Sequence, residues 1–351
     1  MKLGCYYFNW QEASKWRSII DFKEVDLTPT LGLYDDKRPA VHDWHIRQAI
    51  RHGIGYWMFD WYFDVAKGRE YAGNNTMLDQ GFLQAERCLE MEFAVMWCNE
   101  ERDFTTYSRR DFLALVEIWG REYFHRVNYL KAPDGRCVVS MTRPDRLIDT
   151  LGYEGTRLAL ETMREAARPW GGLYFTTIKY PTIHELTLLK EAGFDACTLY
   201  SYNQDGMAPG ELCGPFETIL DHVEPIWREG AESGIMPVVP LVCPNWDSRP
   251  WAGIDVRGTW RSDPTPEKFE HMCRTLKQYV DPWLQMAIIG TWNEFGEGSH
   301  IEPTVPLGCA YLDALQRGFF PENYQPHELL APTEEEKKAL VYDEIPPVWN
   351  R

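Results

Sequence analysis

Short apolar runs alternate with stretches of helical spacing along almost the whole chain. Residues 3–8, 55–61, 93–97, 137–141, 173–178, 196–200, 236–242 and 286–292 are brief, apolar and rich in β-branched or aromatic side chains, the pattern of buried strands. Between and after them, residues 41–52, 77–89, 109–124, 156–167, 184–192, 216–233, 266–279 and 311–319 repeat apolar positions three and four apart, the pattern of helices packed by one face. Gly53 and Gly193 stand where two of these helices stop. Pro225 is expected to kink or divide its helix, and Pro237 and Pro240 to disturb the seventh strand.

Strand and helix in strict alternation predict an α/β chain with parallel pairing, because a parallel neighbour needs a helical return. Eight such units predict a single (β/α)8 TIM barrel over residues 1–320, with 321–351 as a C-terminal tail packed on its surface. A doubly wound open sheet is the rival, but no GxGxxG follows the first strand.

Composition narrows the chemistry. A formal net charge of −17 over 351 residues argues against a nucleic-acid or anionic-membrane partner. Aromatic residues reach 14% and tryptophan occurs 15 times. Core filling accounts for most of these, while indole faces that stack on sugar rings are the sharper reading. The nine cysteines show no CxxC or zinc spacing, so no metal is expected and a reduced compartment is. The start lacks a signal-peptide pattern and no run is long enough to span a bilayer. The expected location is the cytoplasm, or the periplasm or exterior if a leader has been trimmed.

Polar residues gather where the strands end. The pairs are Asp60 with Trp61, Trp97 with Asn99 and Glu100, Trp246 with Asp247, and Trp292 with Asn293 and Glu294. In a barrel these ends converge on one face, where chemistry is usually done. Tyr7 and Tyr202 belong to the same set, giving an aromatic-lined polar cleft for a carbohydrate. Arg249 suits an anionic substrate group, or pairs with Asp247. His300 and Glu302 either bind substrate or brace the turn. Within the set, Glu294 and Glu297 lie three apart. Two close carboxylates resist double ionisation, which leaves one protonated acid beside one base, the division glycoside hydrolysis needs. No cofactor is required.

The segments TPTLGLYDD (28–36), GIGYWMFDWYF (53–63), FAVMWCNE (93–100), NWDSRPW (245–251), DPTPEKFE (263–270) and GTWNEFGEGSHIEPT (290–304) together resemble the WbsX-type, glycoside hydrolase family 99-like proteins over about residues 3–315. The last segment is the most specific, because it is similar to the family 99 pattern NEWHEGTQIEP. The resemblance implies a (β/α)8 barrel and metal-independent, retaining hydrolysis of α-mannosidic bonds within glycans. It implies Glu294 as base towards the sugar 2-hydroxyl, giving a 1,2-anhydro sugar, and Glu297 as acid/base. Phe295 and Gly296 depart from the family's Trp and His, and Gly296 is expected to loosen the turn. WbsX proteins are often labelled glycosyltransferases, so transfer from an activated sugar is the second reading, although no DxD motif or phosphate-cradling glycine loop is present. A non-catalytic carbohydrate-binding barrel is the third.

Overall fold

The computed structural model describes residues 1–10, 13–63, 75–99, 108–252, 258–326 and 330–346. Ten strands occur among them: β1 Lys2–Tyr7, β2 Ile54–Trp61, β3 Glu92–Trp97, β4 Cys137–Met141, β5 Leu173–Ile178, β6 Ala196–Thr198, β7 Cys213–Pro215, β8 Leu241–Val242, β9 Trp260–Ser262 and β10 Met286–Ile289. Eight pair in the order β6-β5-β4-β3-β2-β1-β10-β8, all parallel. A parallel bridge from Cys197 of β6 to Val238, just before β8, joins the two ends. The sheet is therefore a (β/α)8 TIM barrel, as the alternation predicts. β7 and β9 form a separate two-stranded ribbon.

The barrel closes through the two prolines. Cys197 N–H donates to the Pro237 carbonyl at 3.1 Å, Val239 N–H to Cys197 at 2.8 Å, and Ile288 N–H to the Pro240 carbonyl at 3.1 Å. Proline cannot donate, so in this segment it serves as acceptor only, and regular strand is confined to β8.

Strand parity decides what faces the interior. The register pairs Gly4 with Tyr56 and Ile288, and Tyr6 with Met58. A Cβ on Gly4 would sit 2.0 Å from the Tyr56 ring, so the glycine admits that ring. The Tyr56 hydroxyl then reaches the Ala287 carbonyl at 3.0 Å. The opposite parity faces the helices. Tyr7 packs on His42 and His45 of helix Pro39–Arg51, and Trp61 on Trp119 of helix Arg109–Trp119. Burying each such side chain contributes roughly 1.5–3 kcal/mol.

Several helices differ from expectation. Residues 77–89 form no continuous helix but the short turns Met77–Gly81, Phe82–Gln84 and Cys88–Glu90. Gly81 presses on helix Pro39–Arg51 and the chain before it: a Cβ there would fall 2.3 Å from the Asp36 carbonyl and 2.4 Å from the His42 ring. The fourth helix begins earlier, at Pro144, and breaks at Gly152, where φ is 70°. Helix Glu217–Ser233 runs through Pro225 without interruption.

A second aromatic cluster lies outside the barrel. It joins Trp10, Trp16, Tyr34 and Phe295 to Leu340, at the end of helix Glu334–Leu340. Among the described residues no helix is long and apolar enough to cross a membrane.

Candidate active site

β10 ends at Ile289, and Gly290 follows in contact with the carbonyl of Tyr200, where a Cβ would sit 2.0 Å away. The chain then turns into a single 3-10 turn, Phe295–Glu297, closed by Gly298 with φ 61°. Glu294 N–H donates to the Thr291 hydroxyl at 2.9 Å, and Asp247 N–H to the Glu297 carbonyl at 2.6 Å. Both glutamates thus sit on one pinned turn.

Gly296 does not loosen that turn. Its φ is not in the left-handed region; what it provides is room. A Cβ would fall 1.7 Å from the indole of Trp251, which lies over the turn and donates from Nε1 to Glu294 Oε1 at 2.7 Å. Trp251 stacks on Trp10 at 5.6 Å, and Trp10 stacks on Trp16 at 4.1 Å and donates to the Asn293 carbonyl at 2.6 Å.

Electrostatics tie the two carboxyls together. Burial, reinforced by Glu297 and Asp60, pushes Glu294 well above the usual carboxylate range, while the Trp251 N–H pulls it back. Burial raises Glu297 to about 7. Glu294 is fully buried and Glu297 partly exposed, so burial alone favours the proton on Glu294. Burial raises Tyr200 and Tyr62, reinforced at Tyr200 by Asp60, Glu294 and Glu297 and at Tyr62 by Cys98, Asp60 and Glu294. The Tyr200 hydroxyl lies 3.5 Å from Asp60, and the Tyr6 ring 4.9 Å from that of Tyr200. The structure therefore gathers Tyr6, Asp60, Tyr62, Tyr200, Trp251, Glu294 and Glu297.

Of the residues expected at the cleft, several are placed elsewhere. Trp61 and Trp97 lie on the helix-facing side against Trp119. Trp292 packs between His45 and Trp57. The Tyr202 hydroxyl is shared between the Leu241 carbonyl and Trp227 Nε1. Trp246 donates to Thr259 at 2.9 Å. Asn99 clamps two strand ends, accepting from Thr142 and Arg143 and donating to the Arg143 carbonyl. Asn293 clamps two more by bonds to both backbone atoms of Phe8. Arg249 pairs with Asp247 at 2.6 Å and lies over Trp260. Glu302 accepts from Tyr34 at 2.7 Å and meets His45 Nε2 at 3.1 Å; His45 Nδ1 in turn meets the Tyr7 hydroxyl at 2.9 Å. Burial raises Glu302 and lowers His45, so this network carries little charge. The His300 ring lies 4.3 Å from that of Phe295, tilted by 34°. Glu100 lies outside the described residues.

Tyr6, Tyr62, Tyr200 and Trp251 were not expected. Parity could have found Tyr6: if Asp60 points inward, so does Met58, and Met58 pairs with Tyr6. Among the described residues no group of three or more His, Cys, Asp and Glu is placed to hold a metal ion.

The family described as glycosyltransferase WbsX matches residues 4–315. The chain belongs to the WbsX family. Two strains of Xanthomonas campestris pv. campestris carry a relative, the uncharacterized protein WxcX, 26% identical over 90% of this chain and 46% of its own length. The chain thus spans about half the length of the curated relatives it matches. Among solved structures, the GH99 endo-alpha-mannosidase from Bacteroides thetaiotaomicron in complex with bis-tris-propane superposes with TM-score 0.64 at 16% identity, covering 92% of this chain and 96% of that one. A glycoside hydrolase-like protein gives 0.65 at 18% identity, with 91% and 93% covered. At these identities the likeness shows the fold alone: this WbsX-family chain has the same (β/α)8 barrel.

Proposed function

We propose that this chain is a retaining glycoside hydrolase that cleaves an α-linked, mannoside-like bond in a polysaccharide or oligosaccharide. The observation that carries the reading is the pinned turn with two raised carboxyls, one of which accepts the Trp251 N–H. The fold it shares with a GH99 endo-alpha-mannosidase supports it.

In the first half of the reaction, Glu294 takes the proton of the sugar 2-hydroxyl and that oxygen attacks the anomeric carbon. The glycosidic bond breaks, and the leaving oxygen takes the proton of Glu297. In the second half, Glu297 takes a proton from water, and the water oxygen opens the 1,2-anhydro ring. The 2-oxygen recovers its proton from Glu294. Two inversions give net retention. The scheme needs charge on Glu294 and a proton on Glu297, the opposite of what burial alone favours. The Trp251 N–H is the group that stabilises charge on Glu294, as a donor to the ionised form does.

The test compares wild type with Glu294→Gln and Glu297→Gln on a panel of defined α-linked glycans. Each change is expected to lower kcat/KM by at least 1,000-fold; full activity in either removes that residue from the mechanism. A substrate lacking the 2-hydroxyl is expected to resist cleavage, and normal turnover would replace the anhydro route with a carboxylate nucleophile. The family's description favours a second reading, glycosyl transfer. It predicts tight binding of a nucleotide- or lipid-linked sugar, which calorimetry measures.

A further inference from the structure

Behind the Glu294–Glu297 turn lies a second cavity of about 380 Å3, and neither glutamate lines it. It is bounded by the segment after β8, the start of helix Pro266–Leu276 and residues 298–308. Its size falls within the roughly 300–1,000 Å3 of small-molecule sites.

Four polar side chains that line it hold a buried atom without a hydrogen-bond partner: Asn245 Oδ1, Arg261 Nε, His300 Nδ1 and Thr304 Oγ1. Arg261 and Thr304 are each only 3% exposed. Nη1 of Arg261 donates to Thr218 and Nη2 to the Asp205 carbonyl, which leaves Nε as its one nitrogen without a partner. An unmatched buried polar atom costs about 1–3 kcal/mol, so four around one hollow are groups that a bound ligand could satisfy.

The open set is mixed. Asn245 offers an acceptor and Arg261 a donor, while the Thr304 hydroxyl can do either. His300 is neutral, because burial holds it down at about 3, so its open nitrogen can also play either part. Hydroxyl groups, which both donate and accept, match such a set. A carboxylate does not: only Arg261 would welcome it, and the acids at the rim offer no further cation. Arg249 is already held by Asp247, and Glu302 is held by Tyr34 and His45. Proline and tyrosine surfaces, Pro244 and Tyr311 among them, complete the wall and suit the C–H face of a sugar ring.

We infer that this cavity binds one neutral, hydroxyl-rich ring, a single pyranose unit, at a site separate from the two glutamates. The chemistry at Glu294 and Glu297 is not required for it. The experiment uses the full chain and three probes, methyl α-mannopyranoside, methyl α-glucopyranoside and glucuronate. Binding is measured by ligand-observed NMR and calorimetry, and the bound probe is located in soaked crystals. The expected result is a neutral glycoside in the cavity, with binding weakened at least 10-fold in Thr304→Val with Asn245→Leu. Leu307→Trp, placed at the half-exposed rim, should block entry without touching the buried groups. Circular dichroism checks that the variants fold. Only water in the cavity, binding unchanged in all variants, or glucuronate bound more tightly than both glycosides would overturn the inference. Sugar bound here in a chain without hydrolase activity would sink the hydrolase reading alone. An active enzyme with this cavity dry would sink this inference alone.

Discussion

Gly296 lacks a side chain, and the indole of Trp251 uses the space. Where the family 99 pattern has a histidine, this chain brings in a donor from the short helix Arg249–Ala252, which reaches Glu294 at 2.7 Å. A hydrogen bond to a charged group contributes about 1.5–3 kcal/mol, so Trp251→Phe is expected to lower kcat/KM by roughly 10- to 100-fold with little change in fold. Gly296→Ala displaces the indole and should cost about the same. The double variant should be no worse than either, and simple additivity in that cycle would show the two residues to be independent. The raised carboxyls also leave a mark on stability. Glu297 ionises at about 7 when folded, against an ordinary 4.5, so the folded chain holds its proton longer than the unfolded one. The contribution of Glu297 to stability is therefore greatest below pH 4.5, falls between 4.5 and about 7, and is absent above. Glu297→Gln should raise stability by about 2–3 kcal/mol at pH 8 and leave it unchanged at pH 4, as read by urea denaturation. If Glu297 is the acid, hydrolysis by wild type declines as pH rises through about 7. The acid pair was legible because its spacing survives any fold. The neighbours were not, because a one-residue change of parity sends Tyr6 into the barrel and Tyr7 towards the helices.

At the scale of elements, the strands were legible because each is a short apolar run bounded by polar residues. β4 and β5 match their expected limits, and β6 and β8 are shorter than the runs that announce them. The missing pieces are backbone that pairs irregularly, around Pro237 and Pro240 and beyond Thr198. Residues 77–89 carry helical spacing but fold as successive turns, since the close approach of Gly81 to His42 is a long-range contact that no local pattern records. Strand ends rich in amide and tryptophan looked like ligand groups, yet Asn99 and Asn293 are spent joining neighbouring strand ends. Asn99→Leu is expected to destabilise the fold by about 2–3 kcal/mol, since it removes the side-chain bonds to the Arg143 backbone N–H and carbonyl. If Asn99 serves only as a clamp, KM for a glycan substrate should stay within about twofold of wild type, and a tenfold rise would restore it to the ligand-binding set.

At the scale of the molecule, the barrel was legible from the count of alternating units, whereas the outer aromatic cluster was not, because its members come from distant parts of the chain. Phe295 and Trp251 meet Trp10, Trp16 and Tyr34 there, and the C-terminal segment covers them. Asp35 N–H donates to the Leu340 carbonyl at 3.0 Å, Tyr342 N–H to the Leu33 carbonyl at 3.1 Å, and the Tyr342 hydroxyl to the Trp10 carbonyl at 3.4 Å. A chain ending at residue 330 should therefore retain the far-ultraviolet signature of the barrel, yet melt several degrees lower and lose most activity. Full activity in that truncation would show the covering segment to be dispensable.

Tyr342 touches the backbone of Trp10, and Trp10 stacks on Trp251, whose indole donates to Glu294. Damage confined to that distant segment would therefore reach the carboxyl through two stacked rings while every barrel strand stayed paired.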